Sequence, residues 1–337
     1  MNTVTLKQNF FVMMNRFLYA TLLLFAGLIL GCTPEKKPVL TALEGQVFGT
    51  TYHIKYADSE SHQIAIDSLF EAINNSLSTY LPTSDISRVN RGDSTVVVDA
   101  YFEEVFAKAK RIYEETDGYF DPTIGRLIDA YGFGSGKERK SLSPEEIKSL
   151  MTGVGFDKVR LANKRVYRDN DNIEFNVNAF AKGYGLDIIG RFFEGKGIHD
   201  YLVEIGGEIR ARGTKLGTPW KVAIEQPNED GTRSVQKIIP LVNESMATSG
   251  NYRKFKVNEK GEKIVHTINP KTGLAQESNL LSVSVRAPGD CADVDAYATA
   301  FLAMGMKRTK EFLKKRPDLK VVLLYNDADN NLQEFTN

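Results

Sequence analysis

Two side chains able to hold a hard cation, Asp295 and Thr299, stand four residues apart in the run Asp293-Val294-Asp295-Ala296-Tyr297-Ala298-Thr299-Ala300-Phe301. On an α-helix, residues i and i+4 share a face. Ala296, Ala300, Phe301 and Met304 can bury the opposite side of that helix. A carboxylate and a hydroxyl oxygen then point at one spot, and an oxygen-only donor pair suits Mg²⁺. The same spacing also fits plain capping and i,i+4 hydrogen bonding at a helix start, so the pair alone leaves both readings open.

Other groups along the chain could join it. Asn176-Val177-Asn178-Ala179-Phe180-Ala181-Lys182-Gly183-Tyr184-Gly185 lies where a strand gives way to a helix. Free backbone N–H groups at a helix N-terminus attract anions, and Lys182 in the first turn adds a charge suited to phosphate or pyrophosphate. The alternative is close helix–sheet packing of small residues with Lys182 solvated. His266, in His266-Thr267-Ile268-Asn269-Pro270-Lys271-Thr272-Gly273, ends a strand at a turn; it can serve as a general base or be structural. The stretches Gly118-Tyr119-Phe120-Asp121-Pro122-Thr123 and Ala130-Tyr131-Gly132-Phe133-Gly134 could stack on a flat ring or fill core and turns. Gly206-Gly207 fits a bulge, a close backbone approach to a ligand, or a hairpin turn. Ala247-Thr248-Ser249-Gly250-Asn251-Tyr252 reads as a polar loop that could contact phosphate. No G-x-G-x-x-G or Walker A pattern is present, so neither a Rossmann nor a P-loop site is indicated.

The elements that must position these groups follow from periodicity. Residues 45–56 read as a strand. Ile66, Leu69, Phe70, Ile73, Leu77 and Tyr80 mark an amphipathic helix, and Phe102, Val105, Phe106, Ala109, Ile112 and Tyr113 a second. Ser143-Pro144-Glu145-Glu146 is a capping box that opens a short helix. Strand signals at 158–167 lead to a helix over 178–193. Further strands are expected at 201–205, 208–212, 220–225, 237–241, 252–257, 265–268 and 281–286. The Asp295 helix, a helix over 307–315 and a last strand at 320–325 complete the pattern. Consecutive strands and helices occur in blocks, which predicts an α+β fold with a largely antiparallel sheet and packed helices.

Whole-chain composition narrows the function. The 337 residues carry 43 Lys+Arg against 43 Asp+Glu, and no basic run interleaved with aromatics points to nucleic acid. Only Cys32 and Cys291 are present, and His53, His62, His199 and His266 are scattered, which excludes a disulfide framework and a Cys/His zinc site. Lys7 and Arg16 are the only charges before Cys32, and Phe17 to Leu30 is an apolar stretch. It is shorter than the roughly 20 residues that span a bilayer and fits the h-region of a secretory signal. Leu28-Ile29-Leu30-Gly31-Cys32 resembles a bacterial lipobox, with Leu30 bulkier than usual there. The expected organisation is a lipoprotein signal peptide over 1–31, a tether over 32–43 following a lipidated Cys32, and a single domain over 44–337. Translation from Met13 or Met14 would give a more compact signal.

The motifs taken in order carry more than each alone. Ser78-Thr79-Tyr80, Ser84-Asp85-Ile86-Ser87-Arg88-Val89-Asn90, Tyr119-Phe120-Asp121-Pro122-Thr123, Asn178-Ala179-Phe180-Ala181-Lys182-Gly183, Val203-Glu204-Ile205-Gly206-Gly207-Glu208, Ala247-Thr248-Ser249-Gly250, His266-Thr267-Ile268-Asn269-Pro270 and Asp295-Ala296-Tyr297-Ala298-Thr299 resemble the FAD:protein FMN transferase (ApbE) family from about Gly45 onward. The resemblance implies a fold related to the T-fold and Mg²⁺-dependent transfer of FMN from FAD to a Thr or Ser hydroxyl of an acceptor protein, with release of AMP. It implies Asp295, Thr299 and the Ala179 carbonyl as Mg²⁺ ligands. Tyr80, Tyr119, Phe120, Asp121, Asn176, Lys182 and Ile268 correspond to FAD-contacting positions, and His266 to the suspected base. Phe48 stands at a flavin-contact position where the family usually has methionine, and Asn176 where aspartate is common. Many members are periplasmic lipoproteins, in line with Cys32, which implies a membrane anchor facing the periplasm and a membrane-bound redox subunit as acceptor. The same parts also suit a Mg²⁺-dependent FAD pyrophosphatase or a non-catalytic FAD-binding lipoprotein.

Overall fold

Alternating apolar residues give several strands one face to bury, and eight strands pair into one sheet. A computed structural model describes Met13 and residues 39–134, 142–228, 232, 234–251, 255–257, 263–275, 279–329 and 331–337. Residues 1–12 and 14–38, which include Cys32 and the expected signal peptide, lie outside the described residues. Leu40–Asn337 forms one compact unit. Its strands are β1 (Leu40–Val47), β2 (Thr50–Ala57), β3 (Val159–Ala162), β4 (Arg165–Arg168), β5 (Tyr201–Ile205), β6 (Glu208–Arg212), β7 (Trp220–Glu225), β8 (Val235–Leu241), β9 (Glu244–Gly250), β10 (Phe255–Val257), β11 (Lys263–Val265), β12 (Leu280–Ala287), β13 (Lys320–Asn326) and β14 (Leu332–Thr336). Its helices are α1 (Gln63–Leu77), α2 (Asp85–Asn90), α3 (Ala100–Glu115), α4 (Gly125–Ala130), α5 (Pro144–Met151), α6 (Ala181–Gly195) and α7 (Cys291–Leu313).

Eight strands form the main sheet in the order β1-β2-β5-β6-β9-β12-β13-β14, and every neighbouring pair is antiparallel. The α+β expectation therefore holds. Ile54, Tyr56, Tyr201, Val203, Ala247, Val283 and Val285 line the face that carries the helices and share its core. Residues one step along the strands, including Ile209, Ala211, Met246 and Leu324, face the other way and pack with Trp220, Val222 and Ile239 of the β7–β8 hairpin. A smaller core holds Leu127, Tyr131, Val154, Ile268 and Ala275.

Several boundaries differ from those read off the sequence. Residues 45–56 are not one strand but parts of a hairpin, with Val47 opposite Thr50. Phe48 (φ 50°) and Gly49 (φ 75°) form its turn, a backbone that an aromatic residue does not announce. The strand begins at Leu40, so residues 40–43 belong to the sheet rather than the tether. Gly206 and Gly207 form the two-residue turn of the β5–β6 hairpin, both with positive φ and with Ile205 opposite Glu208. Residues 247–250, expected as a loop, are a central strand of small residues. The helix expected over 307–315 is the second part of α7, set off from the part that carries Asp295 by a break at Gly305 (φ 74°), as read from the sequence. The capping box at Ser143 and Glu146 forms as expected.

α6 and α7 stop each other's ends. Neither N-cap residue, Phe180 or Asp290, caps its own helix through its side chain. Instead Asp295 of α7 accepts a hydrogen bond from the Gly183 N–H (3.2 Å). In return, Asp187 of α6 accepts from the N–H groups of Cys291 (2.6 Å) and Ala292 (2.9 Å). These N–H groups would otherwise lack partners inside the protein. Arg210 on β6 neutralises Asp187 at 2.6 Å and reaches Asp290 at 2.8 Å.

Gly183 makes the approach possible, because a Cβ there would meet the Cys291 carbonyl oxygen at 2.6 Å and the Ala292 nitrogen at 2.7 Å. Both obstacles are backbone and cannot swing aside. Gly183→Ala is expected to destabilise the fold by about 1–3 kcal/mol through overpacking, despite alanine's better helix propensity. Urea unfolding checks it: an unchanged midpoint would contradict the close contact.

Candidate active site

The break between strand and helix before α6 brings three loops together. Asn176 donates its backbone N–H to the Pro122 carbonyl (2.7 Å), and its side-chain oxygen accepts from the Asn178 N–H (3.0 Å). Asn178 Nδ2 reaches Thr79 Oγ1 at 3.3 Å, which ties in the loop carrying Tyr80. Tyr80 itself is 62% exposed, free to meet a ligand. Asp121 accepts from the Thr123 N–H (2.8 Å) and hydroxyl (2.6 Å), and Thr123 Oγ1 in turn accepts from the Gly155 N–H. Asp121 and Asn176 thus both spend side-chain oxygens on shaping the loops. At Asn176 a neutral amide does so where a carboxylate would add charge.

The Asp295–Thr299 pair meets this junction. Thr299 Oγ1 lies 3.5 Å from the Ala179 carbonyl oxygen and 3.1 Å from Ser249 Oγ. At 3.5 Å the first contact is poor as a hydrogen bond, yet two oxygens bound to one small cation at roughly 2.1 Å sit at comparable separations. Asp295 is 3% exposed. Burial first, then the Glu208 carboxylate, push its carboxyl well above the usual range, against the pull of Lys182 and the Gly183 N–H. A carboxylate so desolvated beside another carboxylate lacks positive charge, and a divalent cation supplies it. Carboxylate, hydroxyl and carbonyl are the hard donors that Mg²⁺ takes, so the residues present fit that ion.

Lys182 is partly exposed, but its charge is already paired. Its Nζ lies 2.6 Å from Glu208 Oε2 on β6. Burial disfavours its charge, but Glu208 and Asp295 outweigh that and hold the ammonium above its ordinary value. Among Asp, Glu, His and Cys side chains of the described residues, a different group, Asp58, Glu60 and His62, lies near enough together to bind a metal ion; it shares no residue with the Asp295 junction.

The remaining expected residues divide by what they can offer. The Tyr119 ring faces Arg308 at 5.3 Å and Lys271 at 6.0 Å. It lines an open groove of about 460 Å³ with Met304, Arg308 and Phe312. Phe120 is buried edge-on against Phe180 (5.2 Å), and Ile268 lies in the smaller core, so both can meet a ligand only through backbone. Phe48 packs edge-on against Phe70 (5.7 Å) and against Gly185, where a Cβ would come within 2.8 Å of its ring. His266, half-buried just after β11, turns its ring toward Phe133 at 6.4 Å. Sequence reasoning gave no role to Glu208 or Asp187, and placed Ser249 only in a loop that could contact phosphate. The one available signal was the alternation in β6, where Glu208, Arg210 and Arg212 share the face opposite apolar Ile209 and Ala211.

An antiparallel sheet with a buried carboxylate, a hydroxyl, a carbonyl and a lysine gathered at a helix N-terminus on its helix-bearing face defines an α+β protein with a polar centre of hard donors. Comparison with known proteins narrows this. A profile of the ApbE family matches residues 48–323, and the chain belongs to that family. The FAD:protein FMN transferase of Haemophilus influenzae is 34% identical over 306 residues, covering 86% of this chain and 88% of the relative. That of Vibrio cholerae is 36% identical over 300 residues, covering 86% and 87%. The solved flavin transferase ApbE from Vibrio cholerae superposes with a TM-score of 0.78 at 31% identity, covering 89% of this chain and 97% of that one.

Burial raises the Asp121 carboxyl to about 6, above its unfolded value near 4. The folded state therefore binds this proton more tightly, and Asp121's contribution to stability falls as pH rises from about 4 to about 6. Asp121→Asn keeps the oxygen acceptor without the charge. It is expected to gain on the wild type by roughly 2–3 kcal/mol across that window, measured by denaturant unfolding at pH 4 and pH 7. A parallel pH dependence in both proteins would exclude the buried carboxyl as its source.

Proposed function

We propose that the chain transfers the FMN half of FAD to a Thr or Ser hydroxyl of an acceptor protein, releasing AMP, with Mg²⁺ as cofactor. The observation that carries this reading is the meeting of Asp295, Thr299 and the Ala179 carbonyl with Lys182 at the α6 N-terminus. Membership of a family whose relatives bear that activity as their name agrees with it. Asp295, Thr299 and the Ala179 carbonyl would hold the ion. When bound, Mg²⁺ neutralises charge on a pyrophosphate and on the departing phosphate.

The chain's own residues do the rest. Lys182, in the first turn of α6, orients phosphate oxygens. Tyr80 and Tyr119 offer ring faces for stacking. His266, as general base, takes the acceptor's hydroxyl proton where that hydroxyl comes within hydrogen-bond reach. Water in place of the hydroxyl would make the same site an FAD pyrophosphatase.

The acceptor we propose is a membrane-bound redox subunit. The leader and Cys32 support a lipid anchor facing the periplasm. No helix among the described residues is long and apolar enough to cross a membrane. Cys32→Ser is expected to move the chain from the membrane fraction to the soluble one, followed by fractionation and immunoblot.

Intact-mass spectrometry of an acceptor, incubated with the chain, FAD and Mg²⁺, should show the mass gain of one FMN ester. Chelator should abolish it, and Asp295→Ala should lower the rate at least about 100-fold, the scale of losing a main electrostatic stabiliser. Normal turnover in that variant would sink the metal assignment. Free FMN and AMP without a labelled acceptor would move the reading to hydrolysis.

A further inference from the structure

Lys182 stands where a phosphate-binding lysine should, yet its charge is already engaged. Glu208 is 3% exposed, and Lys182 Nζ comes to 2.6 Å from its Oε2. No hydrogen-bond donor is otherwise directed at that oxygen among the described residues. A buried carboxylate met by a single ammonium is under-compensated. Asp295, buried one helix away, draws on the same ammonium. An anion arriving at the α6 N-terminus therefore meets an ion pair and a second carboxyl rather than a free cation.

We infer that Glu208 sets the order of binding: by engaging Lys182 it keeps the phosphate end of the site unfavourable to FAD until a divalent cation is in place. Glu208 acts through Lys182 and the cation and is a positioning residue. It is held rigidly for this role, since it is the first residue of β6 and pairs with Ile205 across the Gly206-Gly207 turn. Once the cation binds beside Asp295, the local charge changes sign. Lys182 is then free to divide its hydrogen bonds between Glu208 and a phosphate oxygen. The arrangement keeps metal-free FAD, which could not react, from occupying the enzyme. This inference rests on the reading of FAD as substrate.

Isothermal titration of the full chain with FAD, in Mg²⁺ and in chelator, tests it. The wild type should bind FAD in Mg²⁺ and at least about tenfold more weakly in chelator, the scale expected of one unit charge within several ångströms at an effective dielectric near 20. Glu208→Gln keeps the shape and removes the charge. It should narrow that ratio by about tenfold, chiefly by tighter binding in chelator, while its melting temperature shows that it is folded. A folded Glu208→Gln protein with the wild-type ratio overturns the inference. Should that variant fail to fold, Lys182→Gln decides through Mn²⁺ titration without FAD. Removing the ammonium should tighten Mn²⁺ binding, and unchanged or weaker binding overturns the inference. A wild type that binds no FAD even in Mg²⁺ removes the substrate reading and this inference with it. A wild type that binds FAD equally in Mg²⁺ and chelator removes this inference alone.

Discussion

The exchange of caps between α6 and α7 is the contact on which the rest of the molecule depends. Helix ends carry unpaired N–H groups that must find partners when buried, and here each helix supplies the carboxylate that satisfies the other. Asp295 therefore has two tasks in one position. It closes the start of α6, and it stands one turn before Thr299, whose hydroxyl reaches the Ala179 carbonyl. The close approach at Gly183 and the anchoring of Asp187 and Asp290 by Arg210 hold this geometry against the main sheet.

Such a centre is expensive to build. Buried carboxylates lose hydration, and their attraction to a cation repays the loss only when the geometry is tight. The structure answers by placing a basic side chain at each end, Lys182 by Glu208 and Arg210 by Asp187. Lys108 and Arg191 reach Asp290 from the outer side, at 2.6 and 2.9 Å. The α7 start is thus nearly balanced in charge, whereas the Asp295 end keeps an acidic surplus. That difference is what a divalent cation held by Asp295, as proposed, would offset.

Around the centre the loops are shaped by local side-chain bonds rather than by regular structure. Asp121 and Asn176 each accept from the backbone N–H two residues ahead, a pattern that favours turns over helix or strand. The same residues were candidates for touching FAD, and loop shaping does not conflict with that role. A loop so braced presents its backbone at a fixed position, which is what Phe120 and Ile268, with side chains in cores, can contribute.

Much of this was legible along the chain. The periods of α1 and α3, the capping box at Ser143, and strands β5, β6 and β7 all followed from spacing, because local pattern decides which face of an element can be buried. The i,i+4 relation of Asp295 and Thr299 needed only a helix. Two features were hidden. A positive φ at Phe48 has no local signature in an aromatic residue. The strand over Glu244–Gly250 lacks apolar alternation because α7 covers its small side chains. The break at Gly305, by contrast, was legible, since the sequence already set the helix over 307–315 apart from the one that carries Asp295.

What the sequence by itself determined was the set of elements and the chemistry each could carry, since helix and strand periods arise from residues near one another in the chain. Only the tertiary structure decided which groups would share a site. Ala179 and Thr299 lie far apart in sequence, as do Lys182 and Glu208, and no local pattern encodes their distance. Strand order in the sheet and the absent Cβ at Gly183 bring them within bonding range, and burial there, which disfavours charge on each group alone, makes the carboxyls and the lysine depend on one another.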